Sequence, residues 1–222
     1  MNTIWITKAA RYCLYALMLI SAINVISNFM QINLMNSYFV NSEFSDDVYA
    51  VLADQNDARI EIIGLIYAVI LFSSFFIIGR WLYLSSKINH LLEIKNLQYS
   101  PGWCVGWHFI PFASLVMPYR ALKEIFRASF NKENWEKEEI PHDFPAWWTT
   151  WLLGNAIAQG SLRMGMQLGE NYSYDELNLI SYLDISSDVL QIVCAFALLR
   201  IISVISNNHQ NINFKPSYKQ ET

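Results

Sequence analysis

Residues 60–81 read IEIIGLIYAVILFSSFFIIGRW, and this run decides the fold class. After Glu61 it carries no charge until Arg80. A helix needs about 20 mostly apolar residues to cross the roughly 30 Å hydrocarbon core of a bilayer. Arg80-Trp81 closes the run as an interface does, because the guanidinium reaches headgroups and the indole rests at their level. The reading is a transmembrane helix over 60–79.

Working outward, three further runs have the same character. Residues 9–30 have Lys8 and Arg11 at their start, and continue through Ile20–Val25 without the small-residue pattern of a cleavage site, so they read as an uncleaved span. Residues 146–167 open with Trp147, Trp148 and Trp151, and residues 183–205 have an apolar heart at Val189–Leu199. The composition agrees: 54% of the chain is hydrophobic and only 15% charged, against about 25% charged in a soluble domain. A net charge of −4 lacks the basic excess of a nucleic-acid binder. Cys13, Cys104 and Cys194 are scattered and odd in number, which excludes a disulfide framework and a zinc spacing.

Residues 102–118 are different. As one helix they would reach only about 25 Å, and Pro111 removes a backbone donor and crowds the preceding turn. Gly102, Gly106 and His108 weaken the segment further. Such a segment is expected to be re-entrant or interfacial, which is tolerated where protein or a wet cavity covers its backbone. Charge counting favours this reading. Lys and Arg of short loops stay cytoplasmic. With four full spans, all the Lys and Arg except Arg59 and Arg163 fall on one side, that of both termini. If 102–118 crossed, Arg120, Lys123, Arg127, Lys132 and Lys137 would move outside and the asymmetry would vanish. The acidic stretch 31–58 reads as solvated outer loop. Its Asp46-Asp47 and Asp54…Asp57 lack the alternating ligands and central glycine of a calcium loop.

The expected fold is therefore an all-α polytopic transmembrane bundle forming a single membrane domain over 1–210. It has four full spans, one short Pro-broken segment and an amphipathic helix over 119–130 at the cytoplasmic face, followed by a disordered tail over 211–222. In the amphipathic helix, Leu122, Ile125, Phe126 and Phe130 form a stripe with Arg120, Lys123 and Arg127 beside it. That is the pattern of a helix lying on anionic headgroups.

Residues 99–129 read YSPGWCVGWHFIPFASLVMPYRALKEIFRAS. With Arg80-Trp81 and Asn89 upstream and Trp147-Trp148 downstream, this stretch resembles the central motif of a bacterial membrane-protein family catalogued as domain of unknown function 4328. His108 departs from the pattern, standing where another aromatic is expected. The resemblance covers roughly 60–205. It implies a multi-span protein of a bacterial cytoplasmic membrane, and it supplies no activity and no catalytic residues. Physically, Ser100 can cap a helix that Pro101 opens, Trp103 and Trp107 share a face, and Pro118 starts a new element. Ser100, Pro101, Gly102, Trp103, Gly106, Trp107, His108, Pro111, Pro118 and Arg120 are the candidate motif, either a gate or headgroup pocket or else a wedge that packs the bundle.

A second candidate group lies inside the spans. Asn24 and Asn28 share one face, Asn155 and Gln159 another, and Asp184 and Asp188 a third. Arg163 is level with the two aspartates if the last two spans are antiparallel, so an ion pair is expected there. Arg80…Ser85-Ser86…Asn89-His90 and Arg200…Ser203…Ser206-Asn207-Asn208-His209 give a weak hint of internal duplication. No nucleophile–base pair, metal-ligand spacing or phosphate loop is visible, and no cofactor is expected. The function expected is that of a non-enzymatic membrane scaffold or regulator that self-associates. The alternative is a small transporter or channel, in which Asn155, Gln159 and the Pro111 region would line a wet cavity.

Overall fold

A computed structural model describes residues 3–130, 134–168 and 173–213. Its long elements are helices α1 (Ile4–Phe39), α2 (Asp46–Leu91), α5 (Asp143–Gln167) and α6 (Tyr174–Asn213); between α2 and α5 lie the short α3 (Pro101–Gly106) and α4 (Met117–Ala128). There is no strand among the described residues. Of the disordered tail expected over 211–222, residues 211–213 instead continue α6, and the rest lies outside the described residues.

Three helices, α1, α2 and α6, are long and apolar enough to cross a membrane. The most apolar stretch of α2 has a mean hydropathy of 2.5, yet only 6% of it is buried by protein. Apolar surface exposed on that scale is unfavourable in water and natural in lipid. α5 falls short of the same apolarity because three tryptophans, Asn155, Gln159 and Arg163 dilute it. The long helices also outrun their apolar runs. α2 has 46 residues, about 69 Å at 1.5 Å per residue, and so extends well past a hydrocarbon core.

Local chemistry sets the ends. Asp46 and Asp47 sit in the first turn of α2, where the helix dipole favours negative charge. α6 opens with a capping box: Ser173 N–H donates to Glu176 Oε2 at 2.8 Å, and Glu176 N–H donates to Ser173 Oγ at 3.2 Å. Ser42, after α1, and Glu93 and Asn96, after α2, have φ near +60°, the left-handed conformation that ends helices.

The chain forms two compact units. One comprises residues 14–73 and 147–196, that is α1 from Leu14 to its end, α2 up to Ser73, α5 from Trp147 and α6 up to Phe196. There α5 and α6 form a hairpin: Ser161 Oγ donates to Asp184 Oδ1 at 2.6 Å, and a Cβ added at Gly154 would touch Leu190 Cβ at 3.4 Å. The other comprises 1–13, 74–146 and 197–222. Its core joins Ile6, Trp81, Ile125, Phe126, Phe144, Ile201 and Ile205, all buried.

Residues 102–118 do not form one helix. α3 gives way to a 3-10 turn at Trp107–Phe109, then extended backbone at Ile110, then a second 3-10 turn at Ala113–Leu115 before α4. Phe112, just after Pro111, takes φ +62°, which is strained for a side chain of that size.

Candidate functional site

The motif is held from both sides. Ahead of it, the buried Glu124 carboxylate of α4 accepts Gln98 N–H at 2.7 Å and Tyr99 N–H at 3.2 Å. Burial pushes the Glu124 pKa above its ordinary value, and the two N–H donors and His90 oppose that rise. Ser100 occupies the N-cap of α3 with Pro101 in the first turn, but the hydroxyl makes no capping bond. The predicted cap is thus made by position and proline alone. Cys104 Sγ donates to Ser86 Oγ at 3.4 Å, fixing α3 on α2.

Trp103 and Trp107 do share a face, their ring centroids 4.7 Å apart. Gly106 is the tighter of the two glycines beside this pair: a Cβ there would lie 3.2 Å from the Trp103 ring, whereas one at Gly102 would meet nothing within 4 Å. His108 Nδ1 lies 3.1 Å from the Val105 carbonyl. Burial holds its pKa below the usual imidazole value, so it is neutral at neutral pH. Beyond it the segment turns outward. Phe109 stacks edge-on against Phe75 at 5.6 Å, and Trp103, Phe109, Phe112, Leu115 and Val116 are all exposed, Phe112 at 86%.

The stripe of α4 differs from its expected setting. Leu122, Ile125 and Phe126 are at most 3% exposed, packed on protein with Phe126 against Phe144 at 5.0 Å between centroids, while Phe130, the last of the stripe, is exposed. Periodicity locates an apolar face without saying what covers it, and here the cover is the chain itself. Arg120 is exposed and Lys123 and Arg127 are half-buried, which leaves a basic edge outward.

The polar tails that suggested a duplication meet one another. His209 Nε2 donates to Asn89 Oδ1 at 2.8 Å, and Asn89 Nδ2 donates to the Ile125 carbonyl at 3.2 Å. Trp81 Nε1 donates to Ser206 Oγ at 3.3 Å, and Ser206 Oγ pairs with Thr7 Oγ1 at 3.2 Å. Asn208 Nδ2 donates to Ser129 Oγ at 3.1 Å. This network joins α1, α2, α4 and α6, and sequence reasoning missed it. The signal was present in two Ser/Asn/His-rich helix ends, read as copies rather than as partners.

The expected Arg163 ion pair is not formed. Asp188 accepts Asn24 Nδ2 at 2.6 Å and Asp184 accepts Ser161, while Arg163 is exposed. Ser161 faces α6, and two residues further on the helix has turned about 200°, so Arg163 faces away. The ion pair found among the described residues joins Arg200 Nε to Asp143 Oδ2 at 3.4 Å. It borders an open cavity of about 750 Å³ lined also by Phe130, Lys137, Glu138 and Glu139. Asn155 and Gln159 are likewise exposed; Asn155 Nδ2 turns back to the Trp151 carbonyl at 2.7 Å. No group of three or more His, Cys, Asp or Glu suited to a metal ion occurs among the described residues.

No curated protein and no solved structure matches the chain. A family model does, over residues 45–207, and it takes in the motif, the Asn89 anchor and the tryptophan pair of α5. The chain belongs to the family described as Domain of unknown function (DUF4328).

Proposed function

We propose that the protein is a non-enzymatic scaffold or regulator of a bacterial cytoplasmic membrane, with four spans and both termini inside, that associates with a second copy of itself through α5. The observation that carries this reading is the outward stripe Asn155, Gln159 and Arg163 on α5. Residues four apart share a helix face. Gln159 and Arg163 have no hydrogen-bond or ionic partner among the described residues. Amides facing lipid are unfavourable, and across a helix–helix contact they become adhesive. A glutamine amide carries both donors and an acceptor, so two copies related by a twofold axis complement each other. Ala156 lies beside them, and a Cβ added at Gly160 would meet nothing within 4 Å, which leaves room for a second backbone. Outward amides do not line a cavity within one chain, as a transport path through the monomer would require.

The membrane arrangement has its own support. α5 pairs with α6 as a hairpin, and its 25 residues reach about 37 Å. The exposed aromatic tip of residues 109–116 suits a re-entrant segment in the cytoplasmic leaflet, and the basic edge of α4 suits anionic headgroups. The test of self-association is oxidative cross-linking in membranes of Gln159→Cys in a background lacking the three native cysteines. A disulfide-linked dimer is expected there and not for Ser181→Cys, which is buried. A chain that stays monomeric for every position from 155 to 163 sinks the reading.

A further inference from the structure

We propose that Arg59, just ahead of the apolar run of α2, binds the phosphodiester headgroup of an anionic phospholipid in a cavity between α1 and α2. The cavity has a volume of about 410 Å³, within the range of ligand sites. Met30, Leu34, Phe44 and Leu52 give it apolar walls, and among the described residues Arg59 is the one charge that lines it. The guanidinium is fixed before any ligand arrives. Arg59 Nε donates to Ser27 Oγ at 3.1 Å, and Nη2 donates to the Ser27 carbonyl at 3.1 Å and to Asn56 Oδ1 at 2.5 Å. Ser27 and Asn56 are both buried. All three acceptors are neutral. No Asp or Glu among the described residues lies within ion-pair distance of Arg59, although Glu43, Asp46, Asp47, Asp54 and Asp57 precede it in the chain. The sequence gives the reason. The positions three and four residues away along the helix are Gln55, Asn56, Ile62 and Ile63, none of them acidic. A half-buried guanidinium with its charge unmatched, and with both Nη1 N–H groups unspent among the described residues, is a receptor for an oxyanion.

The surroundings select the source of that anion. The acidic stretch 43–57 repels anions free in solution. A lipid is held there by its tails, which gives its headgroup a high local concentration. Arg59 stands directly before Ile60, at the end of the α2 run opposite to Arg80, where a guanidinium meets headgroups. The four apolar walls suit the glycerol and upper acyl carbons behind the phosphate. In the four-span arrangement proposed above this is the outer leaflet, the face opposite to the basic edge of α4. The inference rests on α2 crossing the bilayer and not on self-association through α5.

The test is photo-crosslinking of the full chain in phosphatidylcholine vesicles that contain phosphatidylglycerol with a diazirine in its headgroup. Adducts are expected on the cavity residues between 30 and 59. Unlabelled phosphatidylglycerol should displace them saturably, whereas inorganic phosphate and oleate at the same concentration should not. Displacement by phosphate would mark a free-anion site and displacement by oleate a fatty-acid site, and either overturns the lipid assignment. Arg59→Gln should reduce the cavity adducts about tenfold, the effect of one lost charged hydrogen bond, and leave adducts on α4 unchanged. Should Arg59→Gln not fold, Gln55→Glu decides. It sets a carboxylate four residues before Arg59, a pairing that favours the helix, and it should reduce the cavity adducts to the same degree by neutralising the guanidinium. Undiminished adducts in either folded variant overturn the proposal. A second lipid, with its diazirine in the acyl chain, marks residues 60–79 whenever α2 lies in the bilayer. Marking there without cavity adducts refutes the site alone, and no marking there refutes the membrane setting on which it rests.

Discussion

Replacing Asn89 by alanine removes a side chain that is 1% exposed and makes two hydrogen bonds. The cost follows from what each bond leaves behind. His209 is 2% exposed, and its Nε2–H would lose its acceptor at 2.8 Å. An orphaned buried donor costs about 1–3 kcal/mol. The Ile125 carbonyl would lose Asn89 Nδ2 but keep Ser129 N–H at 3.1 Å, so its loss is at the lower end. Together the expected destabilisation is about 2–4 kcal/mol. Equilibrium unfolding of the detergent-solubilised protein measures it, with the exposed Asn207→Ala as control, expected within about 0.5 kcal/mol of wild type. A double-mutant cycle with His209→Ala should show coupling of about 1–2 kcal/mol, because the second change removes the orphan the first creates. If Asn89→Ala costs no more than Asn207→Ala, the network does not hold these helices together.

Three further predictions are independent of that one. Gly106→Ala places a methyl 3.2 Å from the Trp103 ring, which must shift to admit it, so altered tryptophan fluorescence is expected there and not in Gly102→Ala; equal spectra would refute the contact. The raised Glu124 pKa means that its stabilising contribution is present in full below the ordinary value of 4.5 and is lost as pH rises through the folded value, so Glu124→Gln should flatten the decline of stability above pH 4.5. Unfolding titrations of the two proteins at a series of pH values decide it, and parallel curves would refute it. Single cysteines at Asn134 and Ser217, in a background without native cysteines, should react with a membrane-impermeant thiol reagent only after cells are opened; labelling of both in intact cells would mean that residues 102–118 cross the bilayer.

The membrane character was legible because a long apolar run needs no partner to be recognised. α1, α2 and α6 were found that way, though not their ends: residues 82–91 and 206–213 stay helical, and Asn89 and His209 of those ends bond each other across 120 residues of sequence. The contact of Trp103 with Trp107 was legible from spacing alone. Arg163 shows the opposite limit. Depth along two antiparallel helices can be counted from sequence, but the rotation of each about its axis is fixed only by packing, here through Gly154 and Ser161. The α4 stripe is a third case, because lipid and protein are equally good covers for leucine and phenylalanine.

The weak apolarity of α5 has a consequence for synthesis. A nascent helix with Asn155, Gln159 and Arg163 in its second half partitions poorly into lipid when it leaves the ribosome alone. α6 follows within a few residues, inserts readily, and carries the aspartate that Ser161 needs. On the four-span arrangement proposed above, the two helices enter the bilayer as a pair, with α5 held at the translocation channel until α6 has been made. Ribosomes halted before Leu190 should leave α5 accessible from the aqueous side, and those halted well after it should not. The order of translation would then set the topology of the second half of the chain, and a substitution in α6 would misplace a helix already made.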